Sequence, residues 1–218
     1  MLGAIYYPKG TEDKPIPFDS LYLPYIWKEI YFDGIYLDIF NTKKDMVVLD
    51  VGANIGLVTQ YMRDFAKKVY AIEPSTEHFE ALKKNKEENR WDNVDIFNFA
   101  IAGKDGEVTM HKLDNNRTCN SYTNDYGGES EKVKAVAFDT FFKENKIDSV
   151  DFVKFDVEGA EDDILFSPGF LSVAPKIKAI EIEFHKPTFP NIVKHLMNLG
   201  YTARRYDCSA VVILFTRG

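Results

Sequence analysis

The sequence predicts a doubly wound α/β fold whose sheet has seven mostly parallel strands and one antiparallel edge strand. Three observations predict it. Short apolar runs alternate with segments of helical spacing, the rhythm of a sheet covered by helices on both faces. The run at 46–51 is apolar almost throughout, as a strand buried on both faces is. Two strand-like segments close the chain with only a turn between them, and so short a connection makes an antiparallel pair.

Taken in order, residues 1–45 form a lead segment that is Pro/Lys/Asp-rich at its start. Tyr25, Trp27, Ile30, Tyr31, Tyr36 and Phe40 are expected to form a helix and a cap over one end of the main domain, residues 46–218. Residues 46–51 are the first strand. Ile55, Val58, Met62 and Phe65 recur at helical spacing, so 54–65 reads as the first helix. A strand at 68–72 follows, then a helix over 75–89 opened by Ser75, a good N-cap residue. Residues 94–101 read as one strand. The middle then changes character, with alternating strands at 106–113 and 131–138 flanking a polar loop, 114–130. A short helix is expected over 139–145, a strand over 150–155, a helix over 161–166 and a strand over 177–184. A helix bearing Ile192, Val193, Leu196 and Met197 on one face ends at Gly200, before strands at 201–206 and 210–216.

The 218 residues suit one sizeable domain, and 45% hydrophobic with 28% charged residues is an ordinary globular balance. The net charge of −7, without a long Lys/Arg block, argues against a nucleic-acid partner, since phosphate binding relies on clustered positive charge. Cys119 and Cys208 stand far apart and outside any C-x-x-C pair, so they read as two reduced thiols of a cytoplasmic protein. No run of about 18 apolar residues predicts a membrane span. Asn116-Arg117-Thr118 matches a glycosylation sequon and is read as chance.

The chemistry concentrates at the strand ends. Asp50-Val51-Gly52-Ala53-Asn54-Ile55-Gly56 follows the first strand and opens the first helix. A glycine bend there lets a ligand approach the backbone, and a helix N-terminus offers free N–H groups. The spacing is Gly-x-x-x-Gly, so the middle glycine that admits a pyrophosphate in a dinucleotide site is replaced by Asn54. Asp50 would repel phosphate and suit an ammonium group, so a ligand with an amino-acid end fits better than a nicotinamide dinucleotide. Glu73, at the tip of the second strand, is placed to accept both hydroxyls of a ribose.

V-V-L-D-V-G-A-N-I-G, A-I-E-P, F-N-F-A-I-A-G-K-D-G and F-V-K-F-D-V-E-G-A-E, in that order, resemble the FkbM-type S-adenosylmethionine methyltransferases over about residues 46–185. The resemblance implies a Rossmann-like class I methyltransferase fold with S-adenosyl-L-methionine as cofactor. It implies that Asp50, Gly52, Ala53 and Asn54 surround the methionine end, that Gly56 permits close helix packing and that Glu73 holds the ribose. Pro74, Asn98 and Ala100 would lie around the adenine. Phe97 and Phe99 read as core.

Methyl transfer to oxygen needs a base for the departing hydroxyl proton. Asp156 and Glu158, beyond the strand at 150–155, are candidates for it, while Glu161 reads as a helix-opening residue. His185 follows Glu181-Ile182-Glu183-Phe184 at the crevice edge and is a candidate base or metal ligand. Asp156 with Glu183 or His185 is compatible with a divalent metal, but their spacing does not demand one and none is expected. Loop 114–130 reads as a substrate lid acting through Arg117, Asn120, Ser121 and Tyr122, or as a plain connection; His78, His111 and His195 are given no role. The expected activity is methylation of a small-molecule or sugar hydroxyl. A nicotinamide-dependent oxidoreductase and a non-catalytic scaffold that keeps the cofactor fold are the alternatives.

Overall fold

A computed structural model of the chain describes residues 3–4, 17–18, 45–112, 120–121, 123, 129–187, 189–207 and 211–218. The expected aromatic cap, Arg117, Tyr122, both cysteines and the sequon lie outside the described residues. Within the lead segment, Gly3–Ala4 pairs antiparallel with Pro17–Phe18.

The strand Met46–Val51 (β1) lies at the centre of the main sheet. Its side chains alternate, so Leu49 and Val51 enter one apolar core while Met46 and Val48 enter the other. On one side it pairs in parallel with Ala66–Ile72 (β2), which pairs with Val94–Phe97 (β3). On the other side come Phe152–Phe155 (β8) and Ala179–Phe184 (β9), both parallel. Val211–Thr216 (β11) runs antiparallel to β9, and Thr202–Asp207 (β10) closes that edge antiparallel to β11. The sheet is therefore seven-stranded and mostly parallel, with its antiparallel strand second from the edge.

Two departures from the expected elements shape the site. Residues 94–101 do not form one strand: β3 stops at Phe97, and Ala100–Ala102 (β4) joins a second sheet. The break falls at Asn98, whose side-chain amide donates to the Glu73 and Pro74 carbonyls and so ties the turn to the end of β2. The second sheet has the order β4, Ser130–Ala137 (β7), Gly106–Lys112 (β5) and Asn120–Ser121 (β6). The first helix is also shorter than its pattern. It spans Leu57–Met62 (α1), because Gly52, Asn54 and Gly56 all take positive φ and delay helical geometry until Leu57.

The remaining α-helices among the described residues are Thr76–Glu88 (α2), Phe138–Glu144 (α3), Glu161–Leu165 (α4), Pro168–Val173 (α5) and Phe189–Asn198 (α6). Phe138 is fully buried, with ring centroids 5.4 Å from Phe155 and 5.7 Å from Phe170. Phe138→Ala is expected to lower folding stability by about 3–5 kcal/mol, as emptied aromatic core positions do, measured by urea denaturation.

Candidate active site

The loop after β1 is held by backbone geometry. Gly52 has φ +82°, and both Gly52 and Ala53 donate their N–H to the Ile72 carbonyl at 3.0 Å. A Cβ on Gly52 would lie 1.8 Å from the Asp156 carbonyl oxygen. The glycine is thus required by the close approach of two strand ends, a reason additional to ligand access. At Gly56 (φ +95°) a Cβ would meet Leu82 Cδ1 at 2.6 Å and Trp91 Cη2 at 2.8 Å, so this glycine lets α2 and the Trp91 ring close over the loop.

Glu73 is buried at the rim, where β2 ends. One carboxylate oxygen accepts the Asn54 N–H at 2.8 Å and the other the Ser75 N–H at 2.8 Å. The glycine loop and the start of α2 are therefore both pinned to one carboxylate. Each oxygen retains a second lone pair for a ligand hydroxyl. His78 packs beside it, Nδ1 at 3.8 Å from Oε1, and is buried. Its position on the inward side of α2 has no signal of its own in a single sequence.

Gly52, Asn54, Glu73, Pro74, Ala100, Asp156 and Glu158 all line one cavity that opens to solvent. Ile101 and Met110, from the second sheet, and His78 line it as well. Asn98 is not among the lining residues; it stands behind the rim and holds the Glu73–Pro74 backbone. Phe97 and Phe99 pack against Phe141 in the core, with centroids at 5.3 and 5.9 Å.

Asp50 lies beneath the loop and is fully buried. Thr59 donates its hydroxyl to Asp50 Oδ2 at 2.5 Å, and the Lys154 ammonium sits 3.8 Å from Oδ1. Burial raises the Asp50 proton affinity, and Lys154 and Thr59 pull it back. Lys154 is a residue of this site that the sequence reading missed. It is buried in β8, donates to the Gly52 carbonyl at 3.3 Å and pairs with Asp156 at 3.2 Å. Burial opposes its charge, but Asp156, Asp50, Glu183 and Glu181 together hold the ammonium firmly protonated. One lysine in an otherwise apolar strand was the available signal, since a cation is buried there only against anions.

Asp156 and Glu158 follow β8 at the cavity, and His185 approaches them from the end of β9. His185 Nε2 lies 3.5 Å from Glu158, 3.6 Å from Asp156 and 3.8 Å from Glu183. On the other side of the ring, Nδ1 is 3.0 Å from Glu161 Oε1, which also accepts the Gly159 N–H at 3.1 Å. Glu161, expected only to open a helix, is buried and orients the imidazole. Glu158 has φ +50°, and its carbonyl accepts the Ser121 hydroxyl at 2.6 Å, so Ser121 of the 114–130 loop touches the site. Burial alone would lower the His185 proton affinity, but the Glu161 hydrogen bond and the Asp156, Glu158 and Glu183 charges push its pKa to about 9. Glu183 is pushed up to about 7, first by the Asp156 charge and then by burial, with His185 and Lys154 opposing.

Residues 50–203 match the family model described as the methyltransferase FkbM domain. Curated relatives agree with it. "Methyltransferase 1" of Beauveria bassiana is 25% identical over 172 residues, 68% of each chain. "Methyltransferase sdnD" of Sordaria araneosa is 40% identical over 63 residues, 28% of this chain and 24% of that protein, so the match spans about a quarter of its length. Among solved structures, a protein of Streptococcus mutans assigned as a methyltransferase and crystallised with SAH superposes with a TM-score of 0.50 at 13% identity, covering 83% and 94% of the two chains. One of Clostridium thermocellum assigned as an rRNA methylase gives 0.53 at 12% identity, covering 84% and 93%. At such identities the likeness is one of fold.

Proposed function

Because the chain belongs to the FkbM methyltransferase family, we propose that it methylates a hydroxyl of a small molecule or sugar, with Glu158 as the proton acceptor. That it is an S-adenosylmethionine-dependent methyltransferase follows from the family and its relatives. The observation that carries the finer reading is the acidity of the cavity rim. Glu73, Asp156 and Glu158 line the cavity, and Glu183 stands behind them, against Lys154 and His185 as the neighbouring cations.

The residues fit the cofactor. The loop at Gly52 presents backbone without side chain, Glu73 keeps lone pairs for two hydroxyls, and the acidic lining attracts a cation. S-adenosylmethionine supplies an electrophilic methyl group on a positively charged sulfur. Glu158, at the cavity wall, takes the hydroxyl proton as the acceptor oxygen becomes methylated. Asp156 is held by Lys154, so its carboxylate is fixed in place. Glu161 holds His185 against both acids, and the imidazolium keeps their mutual repulsion in check.

A phosphate backbone would meet this rim as a field of like charge, which supports a neutral acceptor. The test is an acceptor screen with isotopically labelled methyl donor, offering hydroxylated small molecules, sugars and RNA. Label on a hydroxyl is the expected result, and label on RNA alone overturns the reading. With an acceptor in hand, Glu158→Gln is expected to lower kcat by about 10²-fold or more while cofactor affinity changes little, read from steady-state kinetics and calorimetry.

A further inference from the structure

We propose that Asp156, Glu158 and His185, with Glu183 beside them, bind one divalent first-row transition-metal ion at the rim of the cavity. Oxygens of Asp156 and Glu158 and a ring nitrogen of His185 lie within 4.8 Å of one another. They come from two different strand ends, the turn after β8 and the end of β9, so their convergence belongs to the tertiary fold and not to local sequence.

The distances favour an ion over direct pairing. Nε2 stands 3.5, 3.6 and 3.8 Å from the Glu158, Asp156 and Glu183 oxygens. Charge-assisted hydrogen bonds are shorter, about 2.7–2.9 Å. Donors each about 2.1 Å from a common tetrahedral ion lie about 3.4 Å apart, close to the 3.5 and 3.6 Å at which Nε2 stands from Glu158 and Asp156.

The other face of the imidazole carries the second argument. Metal-binding histidines characteristically give their remaining ring N–H to a carboxylate, which fixes the ring and turns the other nitrogen, whose proton the ion displaces, toward the metal. Glu161 is that carboxylate here: it is buried, anchored by the Gly159 N–H, and 3.0 Å from Nδ1. An imidazole among carboxylates selects transition ions over the purely oxygen-bound magnesium and calcium. The site is part-buried, with side-chain exposures of 29% for Asp156, 19% for Glu158 and 22% for His185, so an ion has both shelter and a path of entry.

Binding is measured on cofactor-free protein, without acceptor or turnover, so its outcome is independent of the methyl-transfer reading. Mn²⁺ is titrated into the chain and the free-ion signal followed by electron paramagnetic resonance. The wild-type chain is expected to take up one Mn²⁺, displaced by Zn²⁺ more readily than by Mg²⁺. His185→Gln and Glu158→Gln are each expected to weaken uptake by about tenfold or more, and Glu161→Gln by about 10–100-fold. Circular dichroism identifies any variant that fails to fold, and Glu158, on a turn outside the helices and strands, keeps the test decisive if His185→Gln does fail. Absence of saturable uptake by the wild-type chain overturns the proposal. So does uptake that is unchanged in Glu158→Gln.

Discussion

Gly52→Ala is expected to abolish measurable cofactor binding and to lower folding stability by about 2–4 kcal/mol. Two costs combine. The residue has φ +82°, where an L side chain is strained, and its Cβ would lie 1.8 Å from the Asp156 carbonyl oxygen, a backbone atom that no rotamer change can move. Relief requires the β1 and β8 ends to part, and that displaces Asp156 from the cavity wall it shares with Gly52. Gly106→Ala separates the two costs. Gly106 also has positive φ (+152°), but its Cβ would meet nothing within 4 Å, so its substitution is expected to leave cofactor affinity unchanged. Calorimetric titration and thermal melts of both variants check this.

Lys154→Met is expected to destabilise the protein by about 3–5 kcal/mol, the cost of stripping a buried ion group of one partner. Its ammonium bridges Asp50, which is fully buried, and Asp156, and also ties the Gly52 carbonyl. Without it, Asp50 keeps the Thr59 hydroxyl but loses the neighbouring positive charge. The double variant Asp50→Asn with Lys154→Met removes both charges and is expected to recover part of the loss, because an uncharged pair carries no uncompensated ion. Denaturant midpoints of the two single variants and the double form the cycle. Additive losses would contradict the pairing.

Much of this architecture was legible in residue order. Strands buried on both faces read as apolar runs, and the acidic ends of β1 and β2 read as ligand positions, because both signals are local. The failures share a different origin. The strand expected at 94–101 is split because Asn98 bonds across to β2, a long-range contact that leaves no periodicity. The helix α5 went unassigned although Ser167 caps it, accepting from the Phe170 N–H at 3.1 Å, and Pro168 opens it. That Ser-Pro pair was a readable start signal. Glu161 was read as a helix opener because its neighbour in sequence is a helix, while its partner His185 is 24 residues away. Lys154 was passed over because hydrophobic alternation records burial and not charge. Candidate residues at a strand end were therefore readable from residue order, and contacts between elements were not.

The central claim is that one cavity, floored by the glycine loop and closed by Glu73 on one side and Asp156 and Glu158 on the other, holds the cofactor. A crystal structure with S-adenosylhomocysteine tests it most directly. The account predicts the nucleoside in that cavity, with its ribose hydroxyls donating to the Glu73 carboxylate and its sulfur turned toward Glu158. A ligand bound elsewhere, or one in the cavity whose ribose makes no contact with Glu73, would contradict it.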